Sequence, residues 1–305
     1  MTKSRKHRAL CIISILCLLV LGGCSHSKSP QKANELQFSL NEISELTISY
    51  DEEKIIFFEG DSDELVIKEY MTVNKSSYYA KVNQLNESIH ISEGDKPFFK
   101  SGFSRYIEVY LPASYHQNLA ITTTDGAIDL SNSDLDVSML RIDTTSGTMK
   151  LNSATASSIH LSSTSGTLKL GNIQAEQIKL ETTSGNVTCS ELKGHVTYTS
   201  TSGNVLIESA SGSGSYKANN SGKLNVAYTG VDGDLSFFNK NDAIELTIPT
   251  DLEFNFEATT KNGSIATTFQ ESITINGRMI SGAVGDNPTV TIKVETNNGN
   301  IHVTQ

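Results

Sequence analysis

A Thr-Ser-Gly phrase recurs along this chain between pairs of alternating apolar residues. Three nearly identical copies are LRIDTTSGTMKL (140–151), IHLSSTSGTLKL (159–170) and IKLETTSGNVTC (178–189). With the glycine as the reference position, the units follow one another at a pitch of about 19 residues. The reference residues are Gly126, Gly147, Gly166, Gly185, Gly203, Gly222, Asp242, Gly263, Gly282 and Gly299.

The residues on either side of the reference position alternate with a period of two. The position two residues after it is always apolar: Ile128, Met149, Leu168, Val187, Val205, Leu224, Ile244, Ile265, Val284 and Ile301. The position four residues after it is apolar except at Thr267 and Asp286, and the position seven residues before it is apolar except at Ser215. Period two is typical of strands with one buried face, so each unit is predicted to hold two short strands.

Stacked identical columns at this pitch predict an all-β fold, a single-chain β-solenoid or β-helix of about ten coils. The Thr-Ser-Gly phrase is interpreted as the corner between strands. Glycine is expected there because it adopts a positive φ at low cost. The threonines two residues before the glycine, such as Thr145 and Thr164, are interpreted as turn-forming hydroxyls rather than a water-ordering array.

The two ends of the repeat are less regular. Residues 36–104 alternate without a fixed spacing and are predicted to form an N-terminal β cap, with the solenoid over 105–305. The segment IEVYLP (107–112) matches IELTIP (244–249), which places Arg105 in the reference column. The strand that ends near Gln305 is expected to be the terminal coil. Its open edge is either protected by polar side chains or available to bind a partner strand.

The phrases TTSGTMKL, STSGTLKL, TTSGNVTC and STSGNVLI, with the IEVYLP lead-in, resemble the bacterial putative-adhesin β-strand-repeat family. The resemblance covers about residues 40–305. It implies a fold of stacked β-coils in exported or membrane-associated proteins related to adhesin head domains. It brings no catalytic residues with it.

The N-terminus has the zones of a bacterial lipoprotein signal. A basic stretch, MTKSRKHR, is followed by an apolar run that ends in Leu21-Gly22-Gly23-Cys24. We therefore expect a signal peptide over 1–23, lipidation of Cys24 and a flexible tether over 24–35. The protein is then expected outside the cytoplasm, anchored by its acyl chains to the cell membrane, with the outer face of the cytoplasmic membrane favoured.

Charge and cysteine content narrow the possible partners. Removal of the four cations of the signal segment changes the formal charge from −10 to −14, which argues against a nucleic-acid partner. Cys11 and Cys17 leave with the signal, so Cys189 is the one thiol left unmodified. Its column otherwise holds mostly Leu, Ile and Val, and we expect it to be buried.

No arrangement of catalytic or metal-binding residues stands out. An enzyme acting on envelope polysaccharide would draw on Asp129, Asp134, Asp136, Arg141 and Asp143, which are interpreted as solvated surface residues. The seven histidines are scattered, so neither a metal nor a cofactor is expected. The sequence favours a non-enzymatic envelope lipoprotein that binds or scaffolds a protein or a glycan. The alternatives are an envelope-stress sensor that binds a peptide or membrane protein, and the polysaccharide enzyme.

Overall fold

A computed structural model describes residues 29–99, 102–269 and 273–305 of the chain. The predicted signal peptide and Cys24 lie outside the described residues. The described residues form an all-β protein built on one open sheet of 21 strands, with a 3-10 turn at Ser76–Tyr78. No helix in these ranges is long and apolar enough to cross a bilayer.

The strands fall into three groups along the chain. The first group is β1 (Gln31–Ser39), β2 (Glu45–Ser49), β3 (Lys54–Gly60), β4 (Glu64–Met71), β5 (Lys81–Leu85), β6 (Ser88–Ser92), β7 (Arg105–Pro112) and β8 (Asn118–Thr123). The central group is β9 (Ile128–Thr144), β10 (Met149–Ser163), β11 (Leu168–Thr182), β12 (Val187–Ser200), β13 (Val205–Ala218) and β14 (Leu224–Asn239). The last group is β15 (Ile244–Thr247), β16 (Phe254–Thr260), β17 (Ile265–Thr267), β18 (Ile273–Asn276), β19 (Met279–Val284), β20 (Val290–Thr296) and β21 (Ile301–Thr304).

Each central strand runs unbroken from one corner to the next, over 14–17 residues, rather than as two short strands. The prediction of two strands was wrong because the middle of each unit also alternates and stays paired, as Ala154 with Ile173. We call the residues just after a corner face 1, the middle residues face 2, and those before the next corner face 3. In β10 these faces begin at Met149, Ala154 and Ile159.

Parallel pairing stacks like residues on like in the central strands. Leu151, Leu170, Cys189, Ile207 and Val226 form one continuous buried column. Each fully buried Leu or Ile contributes about 1.5–3 kcal/mol relative to leaving it exposed. The column therefore supplies both the core and the register, since a one-residue slip would turn its members to the solvent.

Cys189 is buried in this column, as predicted, with its side chain 2 % exposed. Burial raises the pKa of the thiol to about 12, so almost no thiolate forms near neutral pH. We expect the native protein to resist alkylation at pH 8 and the urea-unfolded protein to react rapidly, as followed by mass spectrometry. Rapid labelling of the native protein would contradict the register of the sheet.

The corner glycines are required by close backbone packing and mostly not by a positive φ. Among the glycines taken from the sequence as corners, only Gly222 has a positive φ, of 111°. A Cβ on Gly166 would lie 2.0 Å from the carbonyl oxygen of Gly147, and Gly126, Gly147, Gly185, Gly203, Gly263 and Gly299 are packed in the same way. The predicted conformational reason was therefore wrong for most corners, because neighbouring coils approach too closely there for any side chain.

The hydroxyls that hold the corners come one residue earlier than predicted. Thr145 and Thr164 are exposed, whereas Thr144 and Ser163 before them are buried. The backbone N–H of Gly147 donates to Thr144 Oγ1 at 3.2 Å, and Ser163 Oγ donates to the Gly166 carbonyl at 3.2 Å. A buried hydroxyl column thus satisfies polar backbone groups that the corner would otherwise leave unpaired.

The first and last strands are interleaved rather than stacked in chain order. At one end β3 lies between β7 and β9, and β2 lies between β6 and β8. At the other end β21 pairs with β15 on one side and with β17 on the other. The unit around Gly282 forms an antiparallel hairpin of β18 and β19 beside β16.

This order corrects two expectations. The strand ending near Gln305 is not a terminal coil, because both of its edges are paired, and the docking surface considered there does not exist. The predicted tether over 24–35 is also too long, since β1 begins at Gln31 and pairs antiparallel with β4. Sequence periodicity could not reveal the order of the last strands, because Ile244, Ile265 and Ile301 satisfy the same column in any order.

Candidate functional site

A groove of about 780 Å³ crosses strands β9 to β14 along face 2. Its floor is a row of small residues between two valines. The row runs Val137, Ala156, Ala175, Gly194, Gly212 and Val231. The four central residues of this row are alanine or glycine, so little side chain fills the space above the backbone.

Two glycines keep the floor of the groove open. Gly194 and Gly212 have φ values of 138° and 118°, a conformation that residues with a Cβ rarely adopt. A Cβ on Gly194 would lie 1.7 Å from the Ala175 carbonyl oxygen, and one on Gly212 would lie 2.3 Å from that of Gly194. The concavity is therefore fixed by backbone packing and does not depend on side-chain rotamers.

Polar side chains form the walls of the groove. One wall is a register row that runs Asp136, Thr155, Gln174, Lys193 and Ser211. The other wall includes Glu176 and Asp232. Adjacent strands lie about 4.8 Å apart, so hydrogen-bonding groups repeat at that spacing along the groove. Such a surface suits a partner that is itself extended and polar.

Most of the acids considered from the sequence do not meet in this groove. Asp129 pairs with Lys54 at 3.1 Å on face 1, and Asp134 accepts a hydrogen bond from Asn152 at 2.9 Å. Arg141 and Asp143 pair at 2.6 Å on face 3. Only Asp136, which lies 3.3 Å from His116, lines the groove. These candidates therefore lack the convergence that acid–base catalysis requires.

A surface network of charges lies on face 3. His160 Nε2 lies 2.7 Å from Glu181 Oε2, and Lys179 Nζ lies 2.8 Å from the same oxygen. Although burial raises the pKa of Glu181, its hydrogen bonds with Lys179 and His160 outweigh that effect and lower it. The partners are partly exposed, and we assign this network a small stabilising role.

A buried ionic cluster that the sequence analysis did not predict lies at the N-terminal end of the sheet. Arg105 Nη2 lies 2.8 Å from Glu53 Oε1 and 3.3 Å from Glu93 Oε2, and Lys96 Nζ lies 3.0 Å from Glu93. The Arg105 side chain is completely buried and also donates to the Tyr78 carbonyl at 2.6 Å. The one available signal was that Arg105 occupies a reference column in which the other residues are glycines and Asp242.

The pKa values of the two glutamates of this cluster are shifted in opposite directions. Burial raises the pKa of Glu53, but its hydrogen bond with Glu93 and the charges of Arg105 and Lys96 outweigh this and lower it. Burial and the same hydrogen bond raise the pKa of Glu93. A separate buried acid, Glu69, accepts hydrogen bonds at 2.8 Å from both Asn34 and the Ala80 N–H. These contacts fix the first strands against β7.

The described residues contain no group of three or more His, Cys, Asp or Glu side chains arranged to hold a metal ion. In the same ranges Cys189 is the one free cysteine.

Comparison with known proteins gave one family match. The model of the family described as Toastrack DUF4097 matches residues 43–220 and 195–304. No curated protein matched the chain in sequence.

Several solved structures are similar over most of their length. A "putative lipid binding protein" from Parabacteroides distasonis is 13% identical, over 89% of this chain and 96% of that one, with a TM-score of 0.44. A "putative adhesin" from Bacteroides fragilis is 10% identical, over 88% and 96%, with a TM-score of 0.33. A "putative cell adhesion protein" from Clostridium sporogenes is 12% identical, over 90% and 99%, with a TM-score of 0.26.

Proposed function

We propose that this chain, which belongs to the Toastrack DUF4097 family, is a non-enzymatic, lipid-anchored protein of the bacterial cell envelope. In this proposal its β-solenoid is an adhesin-like scaffold, and the face 2 groove binds an extended polar partner, either a peptide segment or a glycan strand. The anchor is the lipid on Cys24, which faces the outside of the cytoplasmic membrane.

The observation that carries the proposal is the groove itself. Its floor is held open by Gly194 and Gly212, and its walls present a regular row of hydrogen-bonding side chains. Lys193 is the one basic side chain among the lining residues, and Asp136, Glu176 and Asp232 are acidic. A partner with alternating polar groups along its length can pair with these side chains at successive strands.

An enzyme acting on envelope polysaccharide has less support. The acids that could serve it lie on three different faces. Asp129, Asp134 and Asp143 each have an ionic or hydrogen-bonded partner. An envelope-stress sensor would use the same groove, and its ligand would be a peptide or a segment of a membrane protein. A glycan partner would therefore exclude the sensor, whereas a peptide partner is compatible with both functions.

A photo-crosslinking amino acid at Gln174, in the groove, is expected to give a discrete adduct in living cells of the native host. The control is the same amino acid at Lys169, which is exposed on face 1 of the same strand. Protease or glycosidase digestion of the adduct then identifies the chemical class of the partner. Lys193→Glu should reduce the Gln174 adduct several-fold, whereas Lys150→Glu on face 1 should leave it unchanged. Identical adducts from both positions, or none from Gln174, would refute the groove as the binding site.

A further inference from the structure

Two adjacent phenylalanines are the most exposed large apolar side chains among the described residues. Phe98 is 94% exposed and Phe99 is 80% exposed. Their ring centroids lie 5.0 Å apart at an angle of 87°, so the rings pack against each other. Single exposed apolar residues are common on protein surfaces, but two neighbouring phenyl rings present a concentrated apolar tip. We call residues 97–99 the Phe98–Phe99 tip.

The chain before and after the tip is held firmly to the sheet. Lys96, directly before it, is bound to the Arg105 cluster through Glu93. The Asp95 N–H donates to the Ser77 carbonyl at 2.9 Å, and the ring of Phe103 packs edge-on against Tyr78 at 5.4 Å. The two rings therefore project from a fixed base.

The tip leaves the sheet at the same strand ends as the N-terminal segment. Gln31 of β1 pairs with Met71 of β4, and Met71 pairs with Arg105 of β7. Two strand spacings put Gln31 about 10 Å from Arg105. Thr72 is also bonded to Gly102 and Ser104, which follow the tip. Because Cys24 is five residues before Ser29, its lipid is expected within about 18 Å of Ser29.

We propose that Phe98 and Phe99 dock into the interfacial region of the bilayer to which Cys24 is anchored. This inference rests on the proposed lipid anchor. The acyl chains retain the protein, and the two rings orient it, with the N-terminal end of the sheet on the membrane. Phenylalanines at an interface bury about 150–250 Å² each.

A lipid surface fits the tip better than a protein partner does. A stable protein interface needs about 1,000 Å² of complementary surface, which two rings on a narrow projection do not supply. The bilayer needs no such complementarity. The acidic domain has no charge attraction for anionic lipid, so docking must be apolar and is expected on zwitterionic vesicles and at high salt.

The absence of tryptophan from the chain allows a direct test. Mature lipoprotein carrying Phe98→Trp, purified from host membranes and reconstituted in phosphatidylcholine vesicles, should show blue-shifted emission and strong quenching by brominated acyl chains. The control is Ile275→Trp, since Ile275 is 69% exposed on β18 at the opposite end of the sheet. We expect several-fold weaker quenching there, and no effect of added salt on either signal.

Two results would overturn the inference, and a third would overturn its premise. Equal quenching of the two tryptophans would show that the tip does not dock. Shielding of the Phe98→Trp side chain in native envelopes but not in pure lipid would identify a protein partner instead. Retention and normal processing of Cys24→Ala in cells would remove the lipid anchor, whatever the fluorescence shows.

Discussion

Arg105→Met is expected to lower the free energy of unfolding by about 3–5 kcal/mol, because it removes the buried guanidinium that is paired with Glu53 and Glu93. Arg105 is fully buried and contacts Glu53, Glu93 and the Tyr78 carbonyl. Methionine fills a similar volume but supplies no positive charge and no hydrogen-bond donors. Urea unfolding followed by circular dichroism measures the loss.

The matched control for Arg105→Met is Arg141→Met. Arg141 pairs with Asp143 at 2.6 Å, but its side chain is 52% exposed. Water screens an exposed pair, so this variant should lose no more than about 1 kcal/mol. Similar losses in the two variants would show that the Arg105 cluster is hydrated rather than buried.

The pH dependence of the Arg105→Met effect has a definite sign. The pKa of Glu53 is lowered in the folded protein, so its favourable contribution is present above the unfolded pKa of about 4.3 and is lost as the pH falls. The variant lacks the part of that contribution that Arg105 supplies at pH 7. The stability difference between wild type and variant should therefore be smaller at pH 4 than at pH 7.

Gly166→Ala is the second large effect, and we expect it to destabilise the protein by about 3 kcal/mol through overpacking. The added Cβ would lie 2.0 Å from the Gly147 carbonyl oxygen and 2.9 Å from Ser163 Oγ. The obstacle is backbone of the neighbouring coil, which cannot rotate away as a side chain could. Relief requires the two coils to separate, and this would weaken the pairing on either side.

Lys169→Ala is the control for Gly166→Ala. Lys169 lies three residues further along the same coil and points outward, so its removal should change stability by less than about 0.5 kcal/mol. Equal thermal midpoints would contradict the close approach of the corners. Gly166 does not have a positive φ, so the alanine variant tests the close packing of the corners without adding backbone strain.

Much of the candidate groove was hidden from sequence reasoning. The middle of each unit holds a buried apolar row through Ile173 and Leu192, but the next inward row consists of small residues such as Ala156 and Gly194. Small residues give no periodic apolar signal, and the groove also depends on the positive φ of Gly194 and Gly212. Asp136 was named from the sequence, but only as one of several solvated acids.

The alternation, the positions of the corners and the buried columns on either side of them can be predicted from the amino-acid sequence alone. Period-two alternation at a pitch of about 19 residues permits only a register in which equivalent residues of neighbouring units stack on one another. The buried column through Leu170, Cys189 and Ile207 follows from that register. A burial pattern of this kind is local, because each unit carries its own copy of the signal.

The order of strands at the two ends, and the sites that depend on that order, follow from tertiary contacts and not from the repeat. β21 lies between β15 and β17, and β3 between β7 and β9, although their columns would fit equally well in chain order. The antiparallel partners β4 and β19 and the loops between strands determine which order of strands forms. Arg105 is buried by residues that are distant in sequence. Contacts of the same kind bring the start of β1 and the Phe98–Phe99 tip to the same strand ends, and no periodicity encodes them.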